Sequence, residues 1–508
     1  MDPILCVRNV SKIYPNGTVA NRDVSFDVAP RTVHAVVGEN GAGKTTLMKI
    51  LFGMTDAQEG EIIFRGEPHA PGSPHEAISR GIGMVHQHLM LAPDLTVAEN
   101  LVLGVEPRRG KVFLDTKRTV EIAGEIAARY RLNVPADKRI RDLPVGTRQR
   151  VEILKALFRE AELLILDEPT AVLTPQESEI LFQTLDALKA EGRTILFISH
   201  KLDEVTRVAD AVTIMRDATV VDTRGAKDLS RAEIAKLMVG REIDFSRVRP
   251  PATVGEPLLE VRNLRHVNDE GFPVLRDVSF QVHAGEILGI AGVEGNGQTE
   301  LVRAVTGLLR PEGGHILIRG RDIAGLSPRQ VRERGISHIP EDRMEDGVAV
   351  QTTLRENFII DRYYKEPFSK GIRLRWKEIS EFSRRLIRDF RILARDEEQE
   401  MASLSGGNIQ KCVVARELAA DPDVVVASQP TRGVDVGSWE QLHRLLVQAR
   451  DRGRAVFLVS ADLDEVLKLS TRILVMYNGE IVARFDDTTS VEAVDLGPYM
   501  LGVQRQEA

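Results

Sequence analysis

The sequence GENGAGKT occupies Gly38–Thr45, and the fold of the chain can be worked out from it. It follows the β-branched, apolar run Thr32–Val37, which is typical of a buried strand, and a helical pattern begins at about Lys44. A strand, a glycine-rich turn and a helix in this order let several backbone N–H groups converge on an anion. The following helix presents its positive end to the same point. The sequence therefore predicts a phosphate-binding loop.

The residue types in and after this loop suit a nucleoside triphosphate bound with Mg²⁺. Lys44 is predicted to neutralise the β- and γ-phosphates, and the Thr45 hydroxyl to bind Mg²⁺. A second predicted strand, Leu163–Leu166, ends in Asp167 and Glu168. Asp167 is expected to bind Mg²⁺ and Glu168 to polarise the attacking water, whereas an acidic turn that only ends the strand is the alternative. ATP and Mg²⁺ are the predicted cofactors.

Composition narrows the class of protein. The 508 residues exceed what one hydrophobic core usually holds, so two large domains are expected. The formal net charge of −7 argues against a nucleic-acid partner, because nucleic-acid binders usually carry a basic surplus. No apolar run approaches the length of a membrane helix, and Cys6 and Cys412 lack metal-ligand spacing. We therefore expect the chain to reach a membrane only through a partner.

The chain is an internal duplication. The sequence VRN at Val7–Asn9 recurs at Val261–Asn263, and further matches follow in the same order. We expect one domain at residues 1–243, a linker at residues 244–256 and a second domain at residues 257–508. In each half, short apolar runs alternate with helical patterns, which predicts an α/β fold with mainly parallel sheet cores. One sheet continuous through both halves is the alternative.

These motifs occur in the order typical of the ABC ATPases, and the chain resembles that family, twice, over essentially its whole length. By this resemblance Tyr14 stacks on adenine, Gln87 senses Mg²⁺ and the membrane partner, and His200 contacts the γ-phosphate. The sequence LSGGN at Leu404–Asn408 matches the family signature. The resemblance implies two tandem P-loop NTPase domains, each with a parallel sheet core, an antiparallel β subdomain and a helical subdomain. It also implies head-to-tail packing, with each ATP between one P-loop and the opposite signature.

The resemblance assigns three sets of site residues. The expected catalytic residues are Lys44, Gln87, Glu168 and His200. The expected Mg²⁺ contacts are Thr45, Gln87 and Asp167. The expected nucleotide contacts are Tyr14, Gly38, Asn40, Gly41, Gly43, Lys44, Thr45 and Thr46 in the first half, Gly292, Gly295, Gly297 and Thr299 in the loop of the second half, and Ser405, Gly406 and Gly407 in the signature.

The two halves are not equivalent at these positions. In the second half the residues that replace Tyr14, Lys44, Gln87, Asp167, Glu168 and His200 are, in that order, Asn268, Gln298, Glu341, Ser428, Gln429 and Ala461. The signature shows the opposite loss, because the first half has Pro144 where the second has Ser405. The resemblance pairs the intact P-loop with the intact signature. One working ATP site and one degenerate site are therefore expected, and whether the degenerate site still binds ATP stays open.

Fused domains with a degenerate second site resemble bacterial importers of simple sugars and nucleosides, with a modest preference for nucleosides. The resemblance implies separate permease subunits that dock near the Q-loops and helical subdomains, and a separate extracytoplasmic binding protein. It places the chain at the cytoplasmic face of the bacterial inner membrane. The alternative is a tandem ABC ATPase that acts on ribosomes, against which the short linker, the negative charge and the degraded site all argue.

Overall fold

The structure, a computed structural model, describes residues 2–15, 17–39, 41–86, 89–110, 113–130, 132, 134–170, 173, 175–199, 201–242, 254–268, 270–293 and 295–506. Three predicted site residues, Asn40, Gln87 and His200, and most of the predicted linker lie outside these ranges. The chain divides into two compact units, Met1–Ile243 and Asp244–Ala508.

The first unit contains twelve strands and eight α-helices among its described residues. The strands are β1 (Leu5–Ile13), β2 (Val19–Val28), β3 (Val33–Gly38), β4 (Glu59–Phe64), β5 (Glu67–Pro68), β6 (Ile82–Val85), β7 (Arg108–Arg109), β8 (Phe113–Leu114), β9 (Leu163–Asp167), β10 (Thr194–Ile198), β11 (Ala211–Arg216) and β12 (Thr219–Gly225). The helices are α1 (Lys44–Leu51), α2 (Pro74–Ser79), α3 (Val97–Val102), α4 (Thr116–Arg129), α5 (Val145–Phe158), α6 (Pro175–Ala190), α7 (Leu202–Val208) and α8 (Arg231–Val239).

Two main sheets organise the first unit. An antiparallel sheet has the order β2-β1-β4-β5, and a six-stranded sheet has the order β12-β11-β3-β10-β9-β6. The second sheet is parallel except at β12, which pairs antiparallel with β11. Strands β3, β9 and β10 are buried along their whole length, because strands covered on both faces need continuous apolar runs. Helices α3, α4 and α5 pack together as a helical subdomain, and β7 and β8 form a short hairpin beside it.

The second unit repeats this plan among its described residues. Its strands are β13 (Pro257–Val267), β14 (Pro273–His283), β15 (Ile287–Ala291), β16 (Gly313–Ile318), β17 (Arg321–Asp322), β18 (Ile336–Ile339), β19 (Ser369–Lys370), β20 (Arg373–Leu374), β21 (Val424–Ser428), β22 (Ala455–Val459), β23 (Arg472–Tyr477) and β24 (Glu480–Phe485). Its helices are α9 (Gln298–Val305), α10 (Pro328–Glu333), α11 (Leu354–Ile359), α12 (Trp376–Asp389), α13 (Gly406–Leu418), α14 (Val436–Asp451), α15 (Leu463–Leu469) and α16 (Ala493–Met500).

The sheets of the second unit have the orders β14-β13-β16-β17 and β18-β21-β22-β15-β23-β24. Each unit therefore has its own complete parallel core, and the alternative of one sheet continuous through both halves is wrong. Helices α11, α12 and α13 form the second helical subdomain, with the β19–β20 hairpin beside it. Within the described ranges, no helix combines the length and the apolar character that crossing a membrane requires.

Candidate functional site

The candidate site lies where three neighbouring parallel strands of the first unit end. Strand β3 runs into the glycine-rich loop after Gly38, β9 ends at Asp167, and β10 ends at Ile198. The pairing places Ile198 opposite Asp167 on one side and opposite Val36 on the other. Side chains that follow the three strands therefore meet at one edge of the sheet, where α/β proteins usually bind ligands.

The glycine-rich loop needs glycine at the position where α1 begins. Gly43 has φ of 97°, in the left-handed region, and a Cβ added there would lie 2.0 Å from the Ala20 carbonyl oxygen. The amide of Asn21, which is fully buried, donates to the Gly43 carbonyl at 3.2 Å. Asn21 therefore holds the loop against β2, a role for which its sequence neighbours gave no signal.

Lys44 begins α1 and turns back over the loop. Its ammonium donates to the carbonyl oxygens of Gly38 at 2.7 Å and Glu39 at 3.0 Å, and the residue is 5% exposed. The loop therefore already encloses a buried positive charge at the position that the sequence predicts for the phosphates. Tyr14 approaches from the antiparallel sheet, with its hydroxyl 3.3 Å from the hydroxyl of Thr46.

Thr45 and Asp167 supply oxygen ligands close together. The Thr45 hydroxyl donates to an Asp167 carboxylate oxygen at 3.4 Å. Asp167 is 2% exposed, and this burial, followed by the charge of Glu168, raises its pKa from 3.8 to about 6. A divalent cation would offset this cost of ionisation, and a hydroxyl with a carboxylate oxygen is the hard donor set that Mg²⁺ prefers. The described residues at this position therefore fit Mg²⁺.

Glu168 is held by an unusual backbone. It has φ of 48°, and its N–H donates to the Ile198 carbonyl oxygen at 3.0 Å, which ties the end of β9 to β10. A non-glycine residue in this region stores strain, and such strain occurs preferentially at functional sites. Glu168 is half-buried beside Asp167.

Sequence reasoning missed a buried network behind these carboxylates. The Thr170 hydroxyl lies 2.6 Å from both carboxylate oxygens of Glu204, and the Ser199 hydroxyl donates to Glu204 at 3.0 Å. The Lys201 ammonium pairs with Glu204 at 3.1 Å and donates to the Thr170 carbonyl oxygen at 3.2 Å. The network therefore joins the segment after β9 to the residues on either side of position 200. Its signal was available, because Thr170 and Glu204 recur as Thr431 and Glu465.

At the corresponding sheet edge of the second unit, neutral glutamines stand in place of Lys44 and Glu168, whereas the left-handed backbone of the strand end is the same. Gln298 donates to the Val293 carbonyl oxygen at 3.0 Å and accepts from the Asn296 N–H at 3.1 Å. Gln429 has φ of 47° and accepts from the Ala461 N–H at 3.0 Å.

A cavity of about 190 Å³ remains at this edge. Its lining includes Gly292, Gly295, Thr299, Ser428 and the acidic Glu341, which is paired with Arg432. Amides, hydroxyls and one carboxylate therefore replace Lys44, Asp167 and Glu168 of the first unit.

The signature residues begin α13. Ser405 is the N-cap residue, and its hydroxyl accepts from the Asn408 amide at 2.9 Å. A Cβ on Gly407 would lie 2.7 Å from the Ser438 hydroxyl and 2.9 Å from an Asp435 carboxylate oxygen, so α14 requires glycine there.

Arg343 is a further residue that the sequence did not indicate. Its guanidinium donates to the carbonyl oxygens of Arg432 at 2.6 Å and Gly433 at 3.3 Å. It also covers Gly406, where an added Cβ would meet Nη2 at 2.8 Å. In the first unit Pro144 is the N-cap of α5 and provides no side-chain cap.

Comparison with known proteins agrees with this geometry. The family model described as ABC transporter matches residues 21–171 and 275–432. The chain is 44% identical to the nucleoside import ATP-binding protein NupA of Lactococcus lactis, covering 95% of each chain. It is 42% identical to the glucose import ATP-binding protein TsgD13 of Haloferax volcanii, covering 95% of this chain and 92% of the relative.

A solved structure shows the same fold at lower identity. The archaeal ribosome recycling factor aABCE1, in complex with ribosomal stalk protein aP1, superposes with a TM-score of 0.62 and 20% identity, covering 94% of this chain and 90% of that chain. Two tandem cassettes therefore occur both in proteins named for import and in one named for ribosome recycling, and the fold alone does not separate these functions.

Proposed function

We propose, since this chain belongs to the ABC transporter family of ATPases, that its first unit hydrolyses ATP and thereby drives import through separate permease subunits. The observation that carries the assignment to the first unit is the contrast between Glu168 and Gln429. Glu168 follows β9 and Gln429 follows β21, the corresponding strand, and the two residues have nearly the same backbone angle, at φ of 48° and 47°. Only Glu168 can act as a base. The second unit keeps the backbone geometry at this position but lacks the carboxylate that would polarise the water.

The reaction is ATP and water giving ADP and phosphate. Glu168 polarises the water that attacks the γ-phosphorus, and its carboxylate takes up the proton as the new P–O bond forms. The bond between the γ-phosphorus and the oxygen that bridges it to the β-phosphorus breaks, and ADP leaves. Lys44 turns from the loop carbonyls to the β- and γ-phosphates, where a charge about 4 Å away contributes on the order of 4 kcal/mol at an effective dielectric constant near 20. Thr45 and Asp167 would hold Mg²⁺, which would supply further charge neutralisation.

Residues outside the described ranges and in the other unit complete this proposal by resemblance. Gln87 and His200 are assigned to Mg²⁺ sensing and to the γ-phosphate. Ser405 and Gly407 of the signature are assigned to the nucleotide bound by the first P-loop. Asn40 and the remaining loop glycines supply backbone contacts.

The cargo we propose is a nucleoside or a simple sugar. Two relatives that align over nearly the whole chain are named for the import of nucleosides and of glucose, at 44% and 42% identity. The chain would then lie at the inner face of the membrane, bound to permease subunits near its helical subdomains, with a separate binding protein delivering the cargo. Action on ribosomes is disfavoured, because the structure that suggests it shares 20% identity and supports the fold alone.

The ATPase rate of the chain assembled with its permease tests whether hydrolysis takes place in the first unit. Glu168→Gln is expected to lower the ATPase rate by about 10²–10⁴, the usual cost of losing a positioned base. Gln429→Glu is the matched control and is expected to change the rate less than threefold. Substantial turnover of Glu168→Gln would show that the second unit hydrolyses ATP and would overturn the proposal.

Uptake in a strain that depends on this transporter tests the cargo. Labelled nucleoside and labelled glucose are supplied separately, and Glu168→Gln is expected to abolish uptake of one of them. If neither uptake depends on Glu168, the cargo belongs to another chemical class. Binding of the chain to ribosomes with turnover stimulated by them would instead favour the alternative function.

A further inference from the structure

Each helical subdomain carries a small two-stranded hairpin that the proposed ATPase does not use. In the second unit, β19 and β20 are joined by Gly371 and Ile372, and the register pairs Lys370 with Arg373. Gly371 takes φ of 64°, which makes this short turn possible. We call residues 370–377, from this turn to the first turn of α12, the basic hairpin segment.

The basic hairpin segment combines exposed apolar and cationic side chains. Every residue in it is exposed, and Ile372 at the tip is fully so. Leu374 and Trp376 add two further exposed apolar side chains. A cluster of this kind on a protein surface usually marks an interaction site, whereas single exposed apolar residues do not.

The charge of the segment is opposite to that of the whole chain. Arg375 pairs with Glu378 at 2.9 Å, and within the described ranges no carboxylate forms an ion pair with Lys370, Arg373 or Lys377. Three uncompensated cations therefore surround the apolar tip of a protein whose formal net charge is −7. Such a surface is electrostatically complementary to an anionic one.

The first unit has a hairpin of the same kind with different residues. Strand β7 consists of Arg108 and Arg109, and β8 of Phe113 and Leu114, with Phe113 74% exposed. Both hairpins thus combine cationic and apolar side chains and share a leucine, Leu114 and Leu374, although Arg109 is paired with Asp115 at 2.9 Å. This shared composition is explained by a partner that recognises cationic and apolar side chains and does not require a complementary shape.

We propose that these hairpins rest on the anionic lipid headgroups of the membrane next to the permease. Interfacial segments combine Trp, Phe and Leu with Lys and Arg, because apolar side chains enter the boundary of the acyl chains while cations meet the headgroups. A protein partner is less suitable, because protein interfaces are depleted in lysine and need a complementary surface of about 800 Å² per side. The membrane would then contact the helical subdomains directly, and the permease would not be the only connection between the chain and the membrane.

Trp376 offers an intrinsic probe of this contact. The chain has two tryptophans, and the second, Trp439, lies against His443 with ring centroids 4.2 Å apart. In the full-length Trp439→Phe variant, the emission of Trp376 is expected to shift to the blue when vesicles of phosphatidylglycerol and phosphatidylcholine are added. Vesicles of phosphatidylcholine alone are expected to leave the emission unchanged.

Sedimentation with the same vesicles measures the affinity. Lys370→Glu combined with Arg373→Glu is expected to weaken binding at least about tenfold, because each cation near an anionic surface contributes about fivefold and the effects of two multiply. Ile372→Ser is expected to weaken it severalfold. Val494→Ser removes another highly exposed apolar side chain, from α16, and serves as the control, with no expected effect.

Three results would overturn the proposal. The first is equal affinity for anionic and neutral vesicles, and the second is undiminished binding by the double charge reversal. The third is a double variant that binds vesicles normally but no longer associates with the permease in detergent, which would make the permease the occupant. The residues substituted in the hairpin and in α16 are exposed, Trp439 is partly buried, and unchanged basal ATPase activity of each variant verifies that it has folded.

Discussion

At the scale of single residues, the hydroxyl of Thr170 tests whether the buried network around Glu204 supports the site. Thr170→Val keeps the side-chain volume and removes a donor from a buried carboxylate. We expect the free energy of unfolding of the first unit to fall by about 1–3 kcal/mol, the usual cost of leaving a buried polar group unsatisfied. Thr206→Val is the control, because Thr206 is exposed and lies in α7, the helix that contains Glu204. Denaturant unfolding is the measurement. Equal stability of the two variants would contradict the role of the network.

His34 gives the first unit a defined pH dependence. It lies in β3, 1% exposed and hydrogen-bonded to the Thr213 hydroxyl at 2.7 Å, and burial lowers its pKa from 6.5 to about 4. Folding therefore favours the neutral ring, so its contribution is complete above pH 6.5 and is lost as the pH falls towards 4. At pH 5 the loss is about 2 kcal/mol.

The variant His34→Gln is expected to flatten this part of the profile. Unfolding free energies at pH 7.5 and pH 5 are the measurement, and His75→Gln, at an exposed histidine, is the control. A profile that keeps its full slope without His34 would place the titrating group elsewhere.

Motifs that lie within one short stretch of sequence could be identified from the sequence, whereas residues that depend on tertiary contacts could not. The loop containing Lys44 and the pair Asp167 and Glu168 could be read directly, because each motif lies at the end of one strand. Asn21 and Glu204 could not, since their partners lie 22 and 34 positions away in the sequence and meet them only after folding.

At the scale of elements, buried ion pairs join α10 and α13 of the second unit to the segment that follows α11. The Arg332 guanidinium bridges Asp361 at 2.9 Å and the fully buried Glu417 at 2.7 Å. The duplication aligns Arg332 and Glu417 with Ile78 and Ala156 of the first unit, so these two positions cannot form the same ion pair there.

Breaking one partner of this network should destabilise the second unit strongly. Arg332→Ile leaves Glu417 buried with less compensation, and we expect a loss of about 3–5 kcal/mol. The double variant with Glu417→Ala reproduces the pair found in the first unit and should recover at least about 1 kcal/mol of that loss. Arg329→Ala, at an exposed pair on the same helix, should cost less than about 1 kcal/mol. Strictly additive effects of the two substitutions would contradict the coupling.

The elements themselves were largely predictable. The strand expected at Leu163–Leu166 is Leu163–Asp167, because continuous apolar runs bounded by polar residues have few other solutions. The strand expected at Thr32–Val37 is Val33–Gly38, a shift of one residue. The short hairpins were not predicted, since two-residue strands carry no periodicity.

At the scale of the whole molecule, turnover is expected to need residues from both units. Ser405 caps α13 in the second unit, yet the resemblance assigns it to the ATP of the first P-loop. Ser405→Ala is therefore expected to lower the ATPase rate of the chain assembled with its permease at least about tenfold, although every catalytic carboxylate remains. Pro144→Ser restores a serine to the other signature and should change the rate less than twofold. Equal effects of Ser405→Ala and Pro144→Ser on the ATPase rate would contradict the assignment of the intact signature to the ATP of the first P-loop.

The left-handed backbone shared by Glu168 and Gln429 also bears on how such a chain evolves. Since Gln429 keeps φ of 47° without a carboxylate to position, the curled strand end is retained as architecture, fastened by its hydrogen bonds to Val459 and Ala461. Glutamine and glutamate codons differ by one base, so the acid itself lies a single mutation away. The lysine, the aspartate and the histidine would each have to return separately. A change from glutamine to lysine also needs one base, but serine to aspartate and alanine to histidine each need at least two, so a full return of the catalytic residues to the second unit would require several independent mutations.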